Sequence, residues 1–130
     1  MKRGYLPFPD YAMPWIYALQ KMPTKYLVTF VYKKSLGKAE CLGRCELALR
    51  KPRHFVVSVE AGHGPFVERD TLVHEVAHAM AYGHADHGPA WGIAFARAYK
   101  AVEASKPYPG DSFIDVAALS RRLVRGALRG

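Results

Sequence analysis

The chain has 130 residues, half of them hydrophobic, which is enough for one domain with a real core. It holds no apolar run of about eighteen residues, which excludes a membrane-spanning helix. Its net charge is +8, and the excess lies outside the middle: residues 1–60 carry eleven Lys or Arg against four acids, residues 61–110 four against five, and residues 111–130 four against two. Such an excess attracts nucleic-acid phosphates, with an affinity that falls as salt rises, and it is also compatible with a merely basic surface.

Residues 1–12 are rich in proline and aromatics (Tyr5, Pro7, Phe8, Pro9, Tyr11) and predict an extended arm packed on the body. The stretch starts with two basic residues but is broken by Pro7, Pro9, Asp10 and Pro14, so it fails as a secretory signal. A cytoplasmic protein is the expectation. Residues 13–22 predict a short helix with Pro14 in its first turn, Trp15, Ile16, Leu19 and Met22 on one face, and Pro23 as its stop. Residues 26–33, YLVTFVYK, are β-branched and aromatic and predict a strand. Lys33, Lys34 and Lys38 then make a basic turn that is a candidate phosphate contact.

Residues 42–50 alternate, with Cys45, Leu47 and Leu49 to one side and Arg44, Glu46, Ala48 and Arg50 to the other, as in a half-buried strand. Residues 54–60, HFVVSVE, predict a third strand after the turn at Pro52. Three strands joined by short connections predict an antiparallel sheet. Cys41 and Cys45 are expected as free thiols in strand packing, too few alone for a zinc site. Residues 61–66 read as a loop, with His63 exposed between two glycines.

Residues 74–91 hold four of the six histidines. The stretch starts with His74-Glu75-Val76-Ala77-His78, an H-E-x-x-H match. Residues four apart on a helix share a face, so His74 and His78 can point two imidazoles at one metal ion. Glu75 then stands beside the metal, placed to take a proton from activated water. Leu72, Val73, Val76, Ala77 and Met80 form the apolar stripe of that helix. Glu68 and Asp70 lie near its expected start, Asp70 or Thr71 is its expected cap, and Gly83 its stop. A catalytic zinc site needs one more protein ligand and an open position. The two candidates are His84 and His87; His87 is the better placed, at the entrance to a second helix over 89–104 that Pro89 opens. Trp91, Ile93, Ala94, Phe95, Ala98 and Val102 are that helix's expected buried side, and Tyr82 and Tyr99 are candidates to stabilise an oxyanion. After a turn-rich linker over 105–112, a last helix over about 112–128 shows Val116, Leu119, Leu123 and Ala127 on one face and Arg121, Arg125 and Arg129 on another.

The H-E-x-x-H sequence, a short loop, and then His87-Gly88-Pro89-Ala90-Trp91 together resemble the SprT-like metallopeptidases, which include the Spartan DNA–protein crosslink proteases. The resemblance is specific over residues 68–100 and extends back to about residue 35. It implies zinc ligands at His74, His78 and His87, a general base at Glu75, and an aromatic core position at Trp91. It also implies a zinc-dependent peptidase acting on proteins or peptides, with DNA, single-stranded or protein-crosslinked, as a partner and a nucleoid or nuclear location if so. Two departures stand out. The helix over 13–22 is short for the family, and no cysteine follows Cys45, so the C-x2-C pairs of a C-terminal zinc ribbon are missing.

The expectation is therefore a single α+β, zincin-like domain over 1–130, with an arm over 1–12 and a basic helix in 111–130. Its three-stranded antiparallel sheet packs on the H-E-x-x-H helix and a following helix. Two rival functions use the same residues: a zinc-stabilised DNA-binding module without catalysis, and a zinc hydrolase of a non-peptide amide.

Overall fold

A computed structural model describes residues 4–37 and 41–105. Strand β1 (Tyr5–Leu6) leads through a 3-10 turn (Asp10–Ala12) into helix α1 (Met13–Gln20). Strands β2 (Leu27–Lys33), β3 (Gly43–Ala48) and β4 (His54–Glu60) follow, and then helices α2 (Pro65–Met80) and α3 (Pro89–Glu103). None of these helices is long and apolar enough to cross a membrane. The expected final helix over 112–128, with Arg121, Arg125 and Arg129, lies outside the described residues, as does Lys38 of the basic turn.

The fold is α+β, but the sheet corrects the expectation of three antiparallel strands. It has four strands in the order β1-β2-β4-β3. β4 runs parallel to β2, with Leu27 opposite His54 and Lys33 opposite Glu60. It runs antiparallel to β3, with Gly43 opposite Val59 and Ala48 opposite His54. The reason is hydrophobic. Phe55, Val57, Ser58 and Val59 are all at most 3% exposed, so β4 must be covered on both faces and both edges. It takes the centre, and β2 and β3 flank it. The connection over 34–42 is long enough to step across two strand spacings of about 4.8 Å each, which a tight turn is not. The N-terminal arm supplies the fourth strand: Tyr5 pairs with Lys33 and Leu6 with Tyr32. Lys33 is thus a strand residue, its ammonium 5.0 Å from the Tyr5 ring centroid.

The core lies between the sheet and the helices. Trp15, Ile16 and Leu19 of α1 meet Leu72, Val73 and Val76 of α2, Ala98 and Val102 of α3, and Tyr32, Val57 and Val59 of the sheet. The apolar stripe expected on α2 is the buried one. Two expected apolar contacts are not made. Ile93 is 73% exposed because it shares a helix face with Arg97 and Lys100, whereas Ala94, Ala98 and Val102 repeat at four-residue steps on the inner face. Leu49 is 70% exposed because β3 ends one residue before it.

α2 starts earlier than expected, and neither Asp70 nor Thr71 caps it. Pro65 opens the helix after Gly64, whose φ of 92° lies where side-chain-bearing residues are strained. Asp70 is exposed within the helix and contacts Arg69. Thr71 donates its hydroxyl back to the Val67 carbonyl at 2.6 Å. Glu68 does fall in the first turn, but it is 2% exposed. Its carboxylate accepts the Tyr11 and Tyr32 hydroxyls and, at 3.2 Å, the Gly62 N–H. One buried acid thus ties the 3-10 turn, strand β2 and the loop before α2 to the helix that carries the histidines.

Candidate metal centre

α2 places His74 and His78 one turn apart, with ring centroids 4.9 Å from each other. The chain leaves α2 at Met80, turns through residues 81–88, and re-enters helix at Pro89. At the end of that loop His87 has φ 54°, the one left-handed non-glycine among the described residues. Such a backbone costs about 1–2 kcal/mol and persists only where surrounding contacts hold it. Here it accompanies a ring that reaches back over α2. His87 Nε2 lies 3.3 Å from His74 Nε2, and His78 Nε2 lies 3.2 Å from that same atom. Two imidazole nitrogens bound to one tetrahedral metal at about 2.05 Å would be separated by about 3.3 Å, so the spacing fits a shared ion. His74, His78 and His87 could hold a metal ion, their ligand atoms all within 4.8 Å of one another.

Two of the histidines are biased towards the neutral form that a metal ligand needs. Burial first, then the neighbouring His78 and His87, depress the His74 pKa below its ordinary value. Burial is also the main cause of the depression at His78, opposed by Asp86 and reinforced by His87. Trp91 forms the wall of the site, its ring centroid 5.0, 5.7 and 4.8 Å from those of His74, His78 and His87. Its indole N–H is buried and lacks a hydrogen-bond partner among the described residues.

Glu75 is 9% exposed and lines a cleft of about 470 Å³ together with His78, Trp91, β3 and the loop after α2. Burial, and after it the negative charge of Asp86, push its carboxyl up to about 7. A carboxylate tuned near neutrality is suited to exchange protons with water. Its position depends on Gly43, the first residue of β3. A Cβ there would fall 2.3 Å from Thr71 Cγ2 and 3.1 Å from Glu75 Cγ. Gly43→Ala is therefore expected to destabilise the chain by about 1–3 kcal/mol, as overpacking does, and to displace Glu75. Thr71→Ser, which deletes the clashing methyl, should restore most of the stability. Thermal melts of the single and double variants check this.

The other candidates fall elsewhere. His84 lines the cleft but is not one of the three converging histidines. His63 is exposed on its loop, its Nε2 2.9 Å from Glu60 Oε1. Tyr82 lines the cleft, edge-on to Phe55 at 5.3 Å. Tyr99 does not line it; its hydroxyl accepts a hydrogen bond from Arg69 at 3.0 Å. Cys41 and Cys45 are free thiols, and Cys45 borders the cleft. Desolvation first, then Glu75 and Glu46, push the Cys45 thiol up to about 12. Sequence reasoning passed over Asp86 and Gly43. An acid directly before His87 was a readable signal for the first; nothing local marked the second.

The ligand set makes a sharp expectation. His87→Ala should weaken metal binding by several orders of magnitude, and His84→Ala should leave it within a few-fold of the parent. Metal titration against a chromophoric chelator checks both, and the reverse pattern would exclude His87 as the third ligand.

Compared with known protein families, curated proteins and solved structures, the chain matches none.

Proposed function

We propose that the chain is a zinc-dependent metallopeptidase, with His74, His78 and His87 as ligands and Glu75 as general base. The observation that carries this reading is the convergence of His78 and His87 Nε2 on His74 Nε2, at 3.2 and 3.3 Å, beside the buried Glu75, which lines a cleft with His78. Three histidine ligands suit zinc better than the oxygen-loving cations. Zinc would supply Lewis acidity there, acidifying water and polarising a carbonyl. Glu75 takes the proton of the attacking water and hands it to the departing amine. Trp91 covers one side of the three rings.

A peptide is favoured over a small amide by the sheet. β3 is the terminal strand on its side of the sheet, and Gly43, Arg44, Cys45 and Leu47 line the cleft. Its outer edge offers backbone hydrogen bonds to an extended chain, and side-chain alternation then sets register over Glu75. The free edge beside the cleft is thus β3, while the central strand β4 contributes Phe55 to the lining. Tyr82, at the cleft, is the better placed of the two tyrosines to donate to a developing oxyanion.

The basic excess of residues 1–60 supports substrates that are themselves bound to DNA. The decisive experiment is proteolysis of a DNA-binding protein by the zinc-loaded chain, with and without single-stranded DNA. Cleavage that chelator abolishes and zinc restores is the expected result. Stimulation by DNA that fades with salt would add the partner, and stimulation indifferent to salt would remove it. Hydrolysis of small amides with no cleavage of any protein would overturn the peptidase reading.

A further inference from the structure

We propose that Asp86 is a positioning residue of the metal centre: one carboxylate that faces the outer nitrogens of two ligand imidazoles and sets both to present Nε2 to the ion. The inference rests on the metal reading above and adds the group that organises it. Asp86 Oδ1 lies 3.2 Å from His78 Nδ1 and 3.7 Å from His87 Nδ1. The Nε2 atoms of the same two rings point the other way, towards His74 Nε2. A neutral imidazole carries its proton on one nitrogen only, and the partner of that nitrogen decides which. Neither contact has hydrogen-bond geometry, so Asp86 acts by charge: a carboxylate close to Nδ1 favours the proton on that nitrogen and leaves the Nε2 lone pair for a metal.

The Asp86 side chain is 75% exposed, so it contributes little to the core. Among the described residues its carboxylate makes no other ion pair. The loop delivers it by its own backbone: the Gly88 N–H donates to the Ala85 carbonyl at 3.1 Å, closing a turn with Asp86 and His87 inside it. One turn thus carries the third ligand and the acid that aligns it with the second. The two rings come from different elements, α2 and the loop, and Asp86 is close to both.

The test compares zinc affinity, by competition with a chromophoric chelator, for the full chain and for Asp86→Ala and Asp86→Asn. Asp86→Ala is expected to bind zinc about 10–100-fold more weakly, as loss of such an outer partner does elsewhere. Asp86→Asn, which keeps an acceptor oxygen without the charge, is expected between the two. The metal-free melting temperature should be unchanged in both, a readout that a merely structural role would move. Cobalt substitution adds a spectroscopic check: saturated Asp86→Ala should keep the parent's four-coordinate visible bands. Parent-like zinc affinity in Asp86→Ala would overturn the inference. So would a fall in metal-free stability that accounts for the loss, or a changed cobalt spectrum, which would make Asp86 a ligand instead. A parent chain that takes up no zinc would overturn the metal reading itself, a distinguishable failure.

Discussion

Glu75→Gln is expected to lower kcat/KM for protein cleavage by about 10²–10⁴-fold, the usual worth of a positioned general base. Zinc affinity should stay at the parent value, because Glu75 is not among the converging ligands. That split separates the peptidase from a module that uses zinc only to fold, for which the substitution would leave function intact. The same variant should be more stable without metal. The Glu75 carboxyl is held at about 7 in the fold against an ordinary 4.5. The folded chain therefore binds the proton more tightly than the unfolded one. Its contribution to stability is full below about pH 4.5 and is lost as pH rises through about 7. Glutamine carries no charge to desolvate, so metal-free Glu75→Gln should melt higher than the parent at about pH 8, with the gap closing towards about pH 4. A mutant that loses activity, keeps zinc and gains stability would show a group kept for chemistry against the interest of the fold. Equal melting at both pH values would show that burial does not tax the carboxylate.

Glu68→Ala is the substitution expected to damage the fold most. It strands two buried phenol hydroxyls and the Gly62 N–H that the carboxylate now accepts. Breaking a buried charged acceptor of this kind costs about 3–5 kcal/mol, a large share of the roughly 5–15 kcal/mol that holds a typical domain. The loss would appear as a lower denaturant midpoint and, because the network anchors the start of α2, as weaker zinc binding. The tyrosines supply an independent check by pH. Burial first, and the Glu68 hydrogen bond second, push the Tyr32 hydroxyl up to about 12 and raise Tyr11 as well. Their neutral forms are favoured in the fold, so their stabilisation is full below the unfolded value of 10.0 and is lost as pH rises through about 12. Stability of the parent should therefore fall steeply between about pH 10 and 12, and less steeply in the double Tyr11→Phe, Tyr32→Phe variant. A parallel fall in both would place the alkaline transition elsewhere.

Several features of the fold were legible because their causes are local. β4 lies where the run after Pro52 put it and α3 within a residue of its expected end, and Pro89 opens α3 as its missing N–H allows. Less local features misled. Asp70 and Thr71 have cap chemistry, yet Pro65 and Gly64 start α2 earlier, since a cap is chosen by where the backbone turns. Ile93 is apolar but sits on the wrong face of its helix. The arm over residues 1–12, expected to pack extended on the body, goes further, and its Tyr5 and Leu6 complete the sheet edge beside β2.

What the amino-acid order determined by itself is the pair His74 and His78 with Glu75 between them, because four-residue spacing on one helix is a contact that needs no other part of the chain. What only the tertiary structure decided is everything that must cross from one element to another. His87 joins the pair through a left-handed backbone at the end of a loop, and Asp86 stands behind two rings at once. Gly43 leaves room for Glu75 from a strand that starts thirty-two positions earlier in the chain. β4 lies between β2 and β3 although it follows both in sequence, and Phe55, Val57, Ser58 and Val59 are buried there, because a strand paired on both edges and covered on both faces withdraws the most apolar surface from water.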